Sequence, residues 1–313
     1  CTFSNNKCVS ADRGAVFCAT SDVDVESCTF QSNRGGAIVS FDARLTADRC
    51  IFEENTAGNG GAIYSSVSSN PESICELSLS RCTFTANAAS GSGGALYICE
   101  FDAQIDGCTF TANTAAQDGG AILNYRAGTV LRNCVLVSNT AVGLGGGVHS
   151  LYKGAPQIVN CTFVANEASQ GGAVAGKGNA RSLVSHSILW RNMANRGEAL
   201  YLARYDLGSV KAGAATVEYC DVEGGREVLV HQPQLVEADP APLVPVTRST
   251  HLPCSERKVT STSISPSSST MGAATWLTRP VTALMSRLAS WERVREKEKE
   301  RRLIGPLFPK EKT

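Results

Sequence analysis

The chain has no excess of either charge, few aromatic residues and no long apolar run. It carries 29 Lys and Arg against 29 Asp and Glu, so its formal net charge at pH 7 is zero. Balanced charge does not favour binding to nucleic acid or to an acidic membrane surface. No run of about 18 apolar residues is present, so the sequence contains no candidate transmembrane helix. Aromatic residues make up 6% of the chain, which is too few for the core of a conventional large domain.

Residues that commonly bind metals or catalyse reactions lack the spacing that those roles require. Thirteen cysteines include no Cys-x-x-Cys pair, and the four histidines (149, 186, 231 and 251) are not at ligand spacing. We therefore predict no metal site, no cofactor and no catalytic residue.

The chain instead contains one sequence motif that recurs nine times in its first 225 residues. It is clearest as Cys108-Thr-Phe110-Thr-Ala-Asn113, followed by Gly119-Gly120-Ala121-Ile122. Successive units are about 26 residues apart, and longer steps are loop insertions. A fixed period of this length predicts a solenoid, in which each unit buries its apolar face by stacking on the next.

The composition of the units indicates which solenoid this is. Helical repeats need apolar residues at i, i+3 and i+4, whereas these units are rich in Gly, Ser, Asn and Thr with short β-prone runs. We predict an all-β fold, a right-handed single-stranded parallel β-helix of about nine rungs over residues 1–230. A Val, Leu or Ile stands three positions before most of the repeat-phase Cys or Ser residues, and this odd step predicts a bend between two short strands.

Two further columns follow from stacking, because equivalent side chains of successive rungs lie above one another. Recurrent asparagines can then pass amide hydrogen bonds from rung to rung, and recurrent cysteines can act as small buried side chains. The predicted asparagine ladder is Asn33, Asn55, Asn87, Asn113, Asn139, Asn166 and Asn192. The predicted cysteine column is Cys28, Cys50, Cys82, Cys108, Cys134 and Cys161, with Ser187 in the same phase. Off-phase Cys8, Cys18, Cys75 and Cys99 could form disulfides in an oxidising compartment, and their pairing is left open.

The recurrent Gly-Gly step resembles a phosphate-binding loop only superficially. In Gly143–Gly147 no Lys-Ser or Lys-Thr follows, and the same glycines recur in the other units. We interpret the doublets as turns with positive φ that also allow close approach between rungs.

Two groups of carboxylates are candidate catalytic residues, because parallel β-helices also include polysaccharide lyases and hydrolases. Glu26 and Asp48 occupy one phase in consecutive rungs, so stacking would bring them about 5 Å apart, close enough for a retaining pair. Asp102, Asp106 and Asp118 form a second, looser acidic group without calcium-loop spacing. The default interpretation of both groups is charge on a solvated face.

The paired signatures Phe-x-x-Asn and Gly-Gly-Ala-aliphatic resemble the repeats of chlamydial-type polymorphic outer membrane proteins. The resemblance covers about residues 1–225 and extends to a wider set of bacterial right-handed β-helix proteins. It implies an extracellular or cell-surface passenger of the outer membrane or cell envelope that presents an elongated face for adhesion. It brings no catalytic residues.

Beyond about residue 230 the composition changes. Residues 231–280 read as a Ser/Pro/Thr-rich linker, and 281–313 as a charged, low-order or short helical tail. A shifted reading frame would also explain the abrupt loss of the repeat. Because Cys1-Thr-Phe3 already matches the repeat motif, we expect the chain to be a fragment whose export signal lay upstream.

These observations predict a non-enzymatic surface or secreted protein that binds a host-cell or environmental glycan or protein. The loops around residues 64–76 and 201–215 are the expected binding elements. The alternative is a carbohydrate-active β-helix that acts on acidic polysaccharide.

Overall fold

The computed structural model describes residues 1–8, 13–67, 75–203, 214–222 and 228–231. All of them belong to a compact unit that spans Cys1–Glu256. Within the described residues every named element is a β-strand and every strand pairing is parallel, which confirms the predicted all-β solenoid. No helix there is long and apolar enough to cross a membrane. The predicted linker (231–280, except His231) and the predicted tail (281–313) lie outside the described residues.

The strands form four parallel sheets, here numbered I to IV in the order in which each complete coil visits them. Sheet I contains β3 (Asp22–Glu26), β6 (Arg44–Asp48), β10 (Glu76–Ser80), β14 (Ala103–Asp106), β18 (Val130–Arg132), β22 (Gln157–Val159), β26 (Arg181–Ser185) and β30 (Ala214–Glu218). Sheet II contains β1 (Thr2–Ser4), β4 (Thr29–Gln31), β7 (Ile51–Glu53), β11 (Thr83–Thr85), β15 (Thr109–Thr111), β19 (Val135–Val137), β23 (Thr162–Val164), β27 (Ile188–Trp190) and β31 (Asp221–Val222).

The other two sheets are built from the Asn-containing turn and from the residues after the glycines. Sheet III contains β8 (Thr56–Ala57), β12 (Ala88–Ala89), β16 (Thr114–Ala115), β20 (Thr140–Ala141), β24 (Glu167–Gln170) and β28 (Met193–Arg196). Sheet IV contains β2 (Val16–Ala19), β5 (Ile38–Phe41), β9 (Ile63–Ser66), β13 (Leu96–Cys99), β17 (Ile122–Tyr125), β21 (Val148–Leu151), β25 (Val174–Lys177), β29 (Leu200–Ala203) and β32 (Val228–His231).

One coil of the solenoid visits sheets I, II, III and IV in turn, and coils are numbered here from the N-terminal side. Nine coils contribute strands to sheets II and IV. Coils 2 to 8 pass all four positions, since Arg34 bridges to Thr56 at the sheet III position of coil 2. The described part therefore contains about seven complete turns with a partial coil at each end.

The interior is a thin column of stacked side chains. Neighbouring rings of Phe3, Phe30, Phe52, Phe84 and Phe110 lie nearly parallel with centroids 4.7 to 5.0 Å apart. This distance matches the spacing of adjacent strands in a sheet, so each ring stacks directly on the ring of the next coil. Leucines continue the column where phenylalanine is replaced, and they too are buried.

The bend predicted between the aliphatic residue and the cysteine is a single residue in the left-handed region. This residue has φ between 50° and 54° at each non-glycine position of the column, which comprises Ser27, Arg49, Arg81, Asn133, Asn160, His186 and Tyr219. A left-handed residue other than glycine costs about 1–2 kcal/mol. Here every coil repeats the same conformation, because the strands on both sides are fixed in register.

The two glycines of each doublet are required for different reasons. Gly119 has φ of +69°, a conformation that favours glycine. Gly120 instead faces the backbone of the next coil, where a Cβ would lie 2.7 Å from Thr140 N. In the last clear unit Glu198 replaces the second glycine. The first glycine of the doublet is therefore required for the turn, and the second for close stacking of the coils.

Replacing Gly120 by alanine should destabilise the fold by about 2 kcal/mol, because the added Cβ has only rigid backbone to displace. Gly58 is the matched control, since a Cβ there would have no atom within 4 Å. We expect Gly58→Ala to change stability by less than about 1 kcal/mol. Urea denaturation followed by circular dichroism measures both variants, and equal midpoints would contradict the stacking requirement.

Candidate functional site

The predicted asparagines form a buried, hydrogen-bonded column. Asn113 Nδ2 donates to Phe84 O at 3.0 Å and to Asn139 Oδ1 at 2.9 Å. Its Oδ1 accepts from the backbone N–H and from Nδ2 of Asn87, both at 3.0 Å. The same pattern runs from Asn33 through Asn55, Asn87, Asn113, Asn139 and Asn166 to Asn192. An amide has two donors and two lone pairs, so Asn113 has no remaining capacity to bind a ligand.

The cysteine column lies beside the ladder and is equally buried. Cys82 donates its backbone N–H to Cys108 Sγ at 3.4 Å, and Ser187 Oγ accepts the equivalent bond from Cys161 at 3.0 Å. All twelve described cysteines are thiols, including off-phase Cys8, Cys18, Cys75 and Cys99. Burial raises the pKa of Cys50 to about 11. A protonated thiol is neither a nucleophile nor a good metal ligand, so Cys50 suits packing rather than chemistry. Hydrogen bonds with the neighbouring thiols of Cys108 and Cys134 lower the pKa values of Cys82 and Cys161.

The carboxylates of sheet I are stacked in register but are paired with arginines. Glu26 and Asp48 are register partners. Arg81 makes a bidentate contact with Asp48, with both Nη2–O distances 2.7 Å, and Arg49 contacts Glu26 and Asp48. The Arg81 hydrogen bond holds the pKa of Asp48 below its usual range. A general acid needs the opposite shift, so these carboxylates form an ion-pair column on the outer face.

The second acidic group is dispersed in the structure. Asp106 accepts from Asn133 Nδ2 at 2.7 Å, and Asp102 accepts from the backbone of Gly128. Asp118 lies in a turn before the glycine doublet and accepts from Leu144 N at 2.7 Å. Among the described residues, no cluster of three or more His, Cys, Asp or Glu side chains is placed to hold a metal ion.

The strongest candidate surface is the outward face of sheet IV. Six aromatic side chains lie on it or at its edge over coils 1 to 6, and Phe17 is exposed while the others are half-buried. In the first four coils neighbouring ring centroids are 5.1 to 6.0 Å apart. We name this surface the aromatic strip; it comprises Phe17, Phe41, Tyr64, Tyr97, Tyr125 and Tyr152.

Cations accompany the rings at both ends of the aromatic strip. The Arg126 guanidinium lies 5.3 Å from the ring centroid of Tyr125 and 5.9 Å from that of Tyr152, and it pairs with Glu100 at 2.8 Å. Arg13 lies 5.2 Å above Phe17. Cation–π contacts hold a guanidinium in place over the ring faces. The strip therefore combines fixed rings with oriented hydrogen-bond donors.

Sequence reasoning missed the aromatic strip, although a signal was present. Tyr64 and Tyr97 directly follow the aliphatic residue after a Gly-Gly-Ala step, and alternation along a strand turns that next residue outward. The loops predicted as binding elements adjoin this face in sequence, but residues 68–74 and 204–213 lie outside the described residues.

Replacing Asn113 by alanine should destabilise the protein by about 3 kcal/mol or more, because it removes four buried hydrogen bonds to Phe84, Asn87 and Asn139. Asn6 lies at the exposed end of the ladder and is the matched control. We expect Asn6→Ala to cost less than about 1 kcal/mol. Thermal denaturation of both variants checks the difference, and similar losses would argue against a saturated ladder.

Thiol accessibility tests the cysteine column directly. The seven buried thiols (Cys18, Cys28, Cys50, Cys82, Cys108, Cys134 and Cys161) should react with an aromatic disulfide reagent only after unfolding. All thirteen cysteines should react in guanidinium chloride. Fewer than thirteen reactive thiols under those conditions would reveal a disulfide instead.

Comparison with known proteins agrees with this geometry. A family model described as a right handed beta helix region matches residues 56–221, more than half of the 313-residue chain. No curated protein and no solved structure matches the chain. The matched residues run from β8 to β31 and include most of the asparagine ladder and four of the six residues of the aromatic strip. The chain belongs to the right-handed β-helix family.

Proposed function

We propose that this chain is a non-enzymatic, extracellular or cell-surface β-helix that binds glycan along the aromatic strip. The supporting observation is the row of six rings on one outer face, with one ring in each of coils 1 to 6. One face of a sugar ring presents C–H groups, which pack against the negative face of an aromatic ring. An elongated row of rings suits an elongated chain of sugars.

The rest of the outer surface supports the same choice of face. On sheet I, Glu26 and Asp48 are already paired with arginines. On sheet II, the outer residues of β11 and β15 are all threonines, which present no aromatic ring. Burial raises the pKa of Tyr97 to about 12, so its hydroxyl remains protonated at neutral pH and can donate to a sugar oxygen. The resemblance to polymorphic outer membrane proteins favours a role in adhesion, with the glycan on a host cell or in the environment.

Affinity electrophoresis in gels that contain xylan, mannan, alginate or polygalacturonate tests this proposal. We expect retardation by at least one polymer, and a loss of at least 10-fold in affinity for Tyr97→Ala, because buried aromatic anchors dominate such interfaces. Tyr97→Phe should retain most of the binding, since it keeps the ring.

Trp190→Ala is the matched control, because it removes a partly exposed aromatic ring from sheet II instead. Equal loss of binding in Tyr97→Ala and Trp190→Ala, or no retardation by any polymer, would contradict the proposal. Release of new reducing ends or unsaturated products from these polymers would instead indicate the alternative, a polysaccharide lyase or hydrolase.

A further inference from the structure

A histidine is buried at a position where the strand turns its side chain outward. His149 in β21 is the register partner of Leu123 and Ala175, and all three point away from the lumen. His149 is nevertheless 0% exposed. The turn at residues 142–146 packs against it: a Cβ on Gly145 would lie 2.8 Å from His149 Cβ, and the Asp118 carboxylate that binds Leu144 N lies 3.6 Å from His149 Nδ1.

Neither nitrogen of the covered ring has a hydrogen-bond partner among the described residues. The nearest carboxylate oxygen is Asp118 Oδ2, 3.6 Å from His149 Nδ1. The other oxygen of Asp118 accepts the backbone N–H of Leu144 at 2.7 Å. Asp118 therefore faces the ring and at the same time fastens the turn that covers it.

Few charged groups surround His149. Asp118 approaches from the turn before β17, and Lys177 approaches from β25. The covering turn contributes only Val142, Leu144 and glycines, and β17 contributes Leu123. Asp118 and Lys177 shift the pKa of His149 in opposite directions, so burial remains the dominant influence on that pKa.

Burial therefore decides the sign of the pH response. Burial lowers the pKa of His149 to about 4, while Asp118 raises it and Lys177 lowers it further. An exposed histidine has a pKa near 6.5. Because the covered ring binds a proton less readily than the exposed ring, acid favours the uncovered state. The closed turn has its full stability above pH 6.5 and loses it as the pH falls from 6.5 towards 4.

We propose that His149 and Asp118 form an acid-sensitive latch, in which protonation of the ring opens the turn at residues 142–146. The latch is local, because the lumen residues beneath it are held by stacking in every coil. Opening would expose the imidazolium to water and break the bond from Leu144 N–H to Asp118.

Hydrogen–deuterium exchange of the Leu144 amide tests the latch, after correction for the intrinsic pH dependence of exchange. Between pH 7.5 and pH 4.5 the opening equilibrium should rise by about 70-fold, as the two pKa values require. The Gly60 amide, which donates to Ser92 O in the equivalent turn of coil 3, should show no such rise. A flat response at Leu144, slower exchange in acid, or an equal rise at Gly60 would overturn the proposal.

Two variants separate the latch from a general effect of acid. His149→Leu should abolish the pH dependence, and leucine already fills the equivalent position at Leu123. His186→Leu is the matched control, because it removes an exposed histidine from another corner; it should leave the response intact.

Asp118→Asn gives an independent readout if His149→Leu does not fold. It retains an oxygen for the Leu144 N–H but removes the anion that favours the covered imidazolium. Its response to acid should therefore be larger than that of the unaltered protein, and a smaller response would contradict the assigned roles.

Discussion

In-register stacking of one coil on the next is the constraint on which the rest of this structure depends. A parallel coil can bond to its neighbour only if equivalent residues lie about 4.8 Å apart along the axis. Phenylalanine rings, asparagine amides and cysteine thiols each meet this spacing with their own kind. A residue is thus selected less for what it does in its own coil than for how it meets the same position in the next.

The same constraint divides the side chains into two groups, those that stacking fixes and those that it leaves free to vary. Interior amides of the ladder such as Asn113 are saturated and buried, and the lumen beside them is filled with stacked side chains. Outward-facing side chains do not have to stack on the equivalent residue of the next coil. Sheet I uses them for ion pairs such as Arg81 with Asp48, whereas sheet IV uses them for rings. The functional differences between faces therefore arise from side chains that the repeat does not specify.

This division also explains how much the sequence could predict. The period, the parallel β-helix and the register of Glu26 with Asp48 follow from phase alone, because stacking converts equal phase into spatial contact. The pairing of Glu26 and Asp48 with Arg49 and Arg81 could not be predicted from phase, since both arginines lie at the bend and their side chains reach across coils. The aromatic strip was missed for a related reason: its members are divided between two outward columns, Leu123 interrupts one of them, and Tyr152 lies just beyond β21. His149 was not recognised as buried, because strand alternation places it outside and only the covering turn brings it inside.

The glycine doublet has a consequence for how such a protein can change its length. A coil with a complete doublet accepts another coil directly above it, because neither glycine places a side chain between the two backbones. Duplication of a unit of about 26 residues could therefore lengthen the solenoid at any coil that carries the doublet. Gene duplication would add whole segments of binding face and leave the existing coils in register.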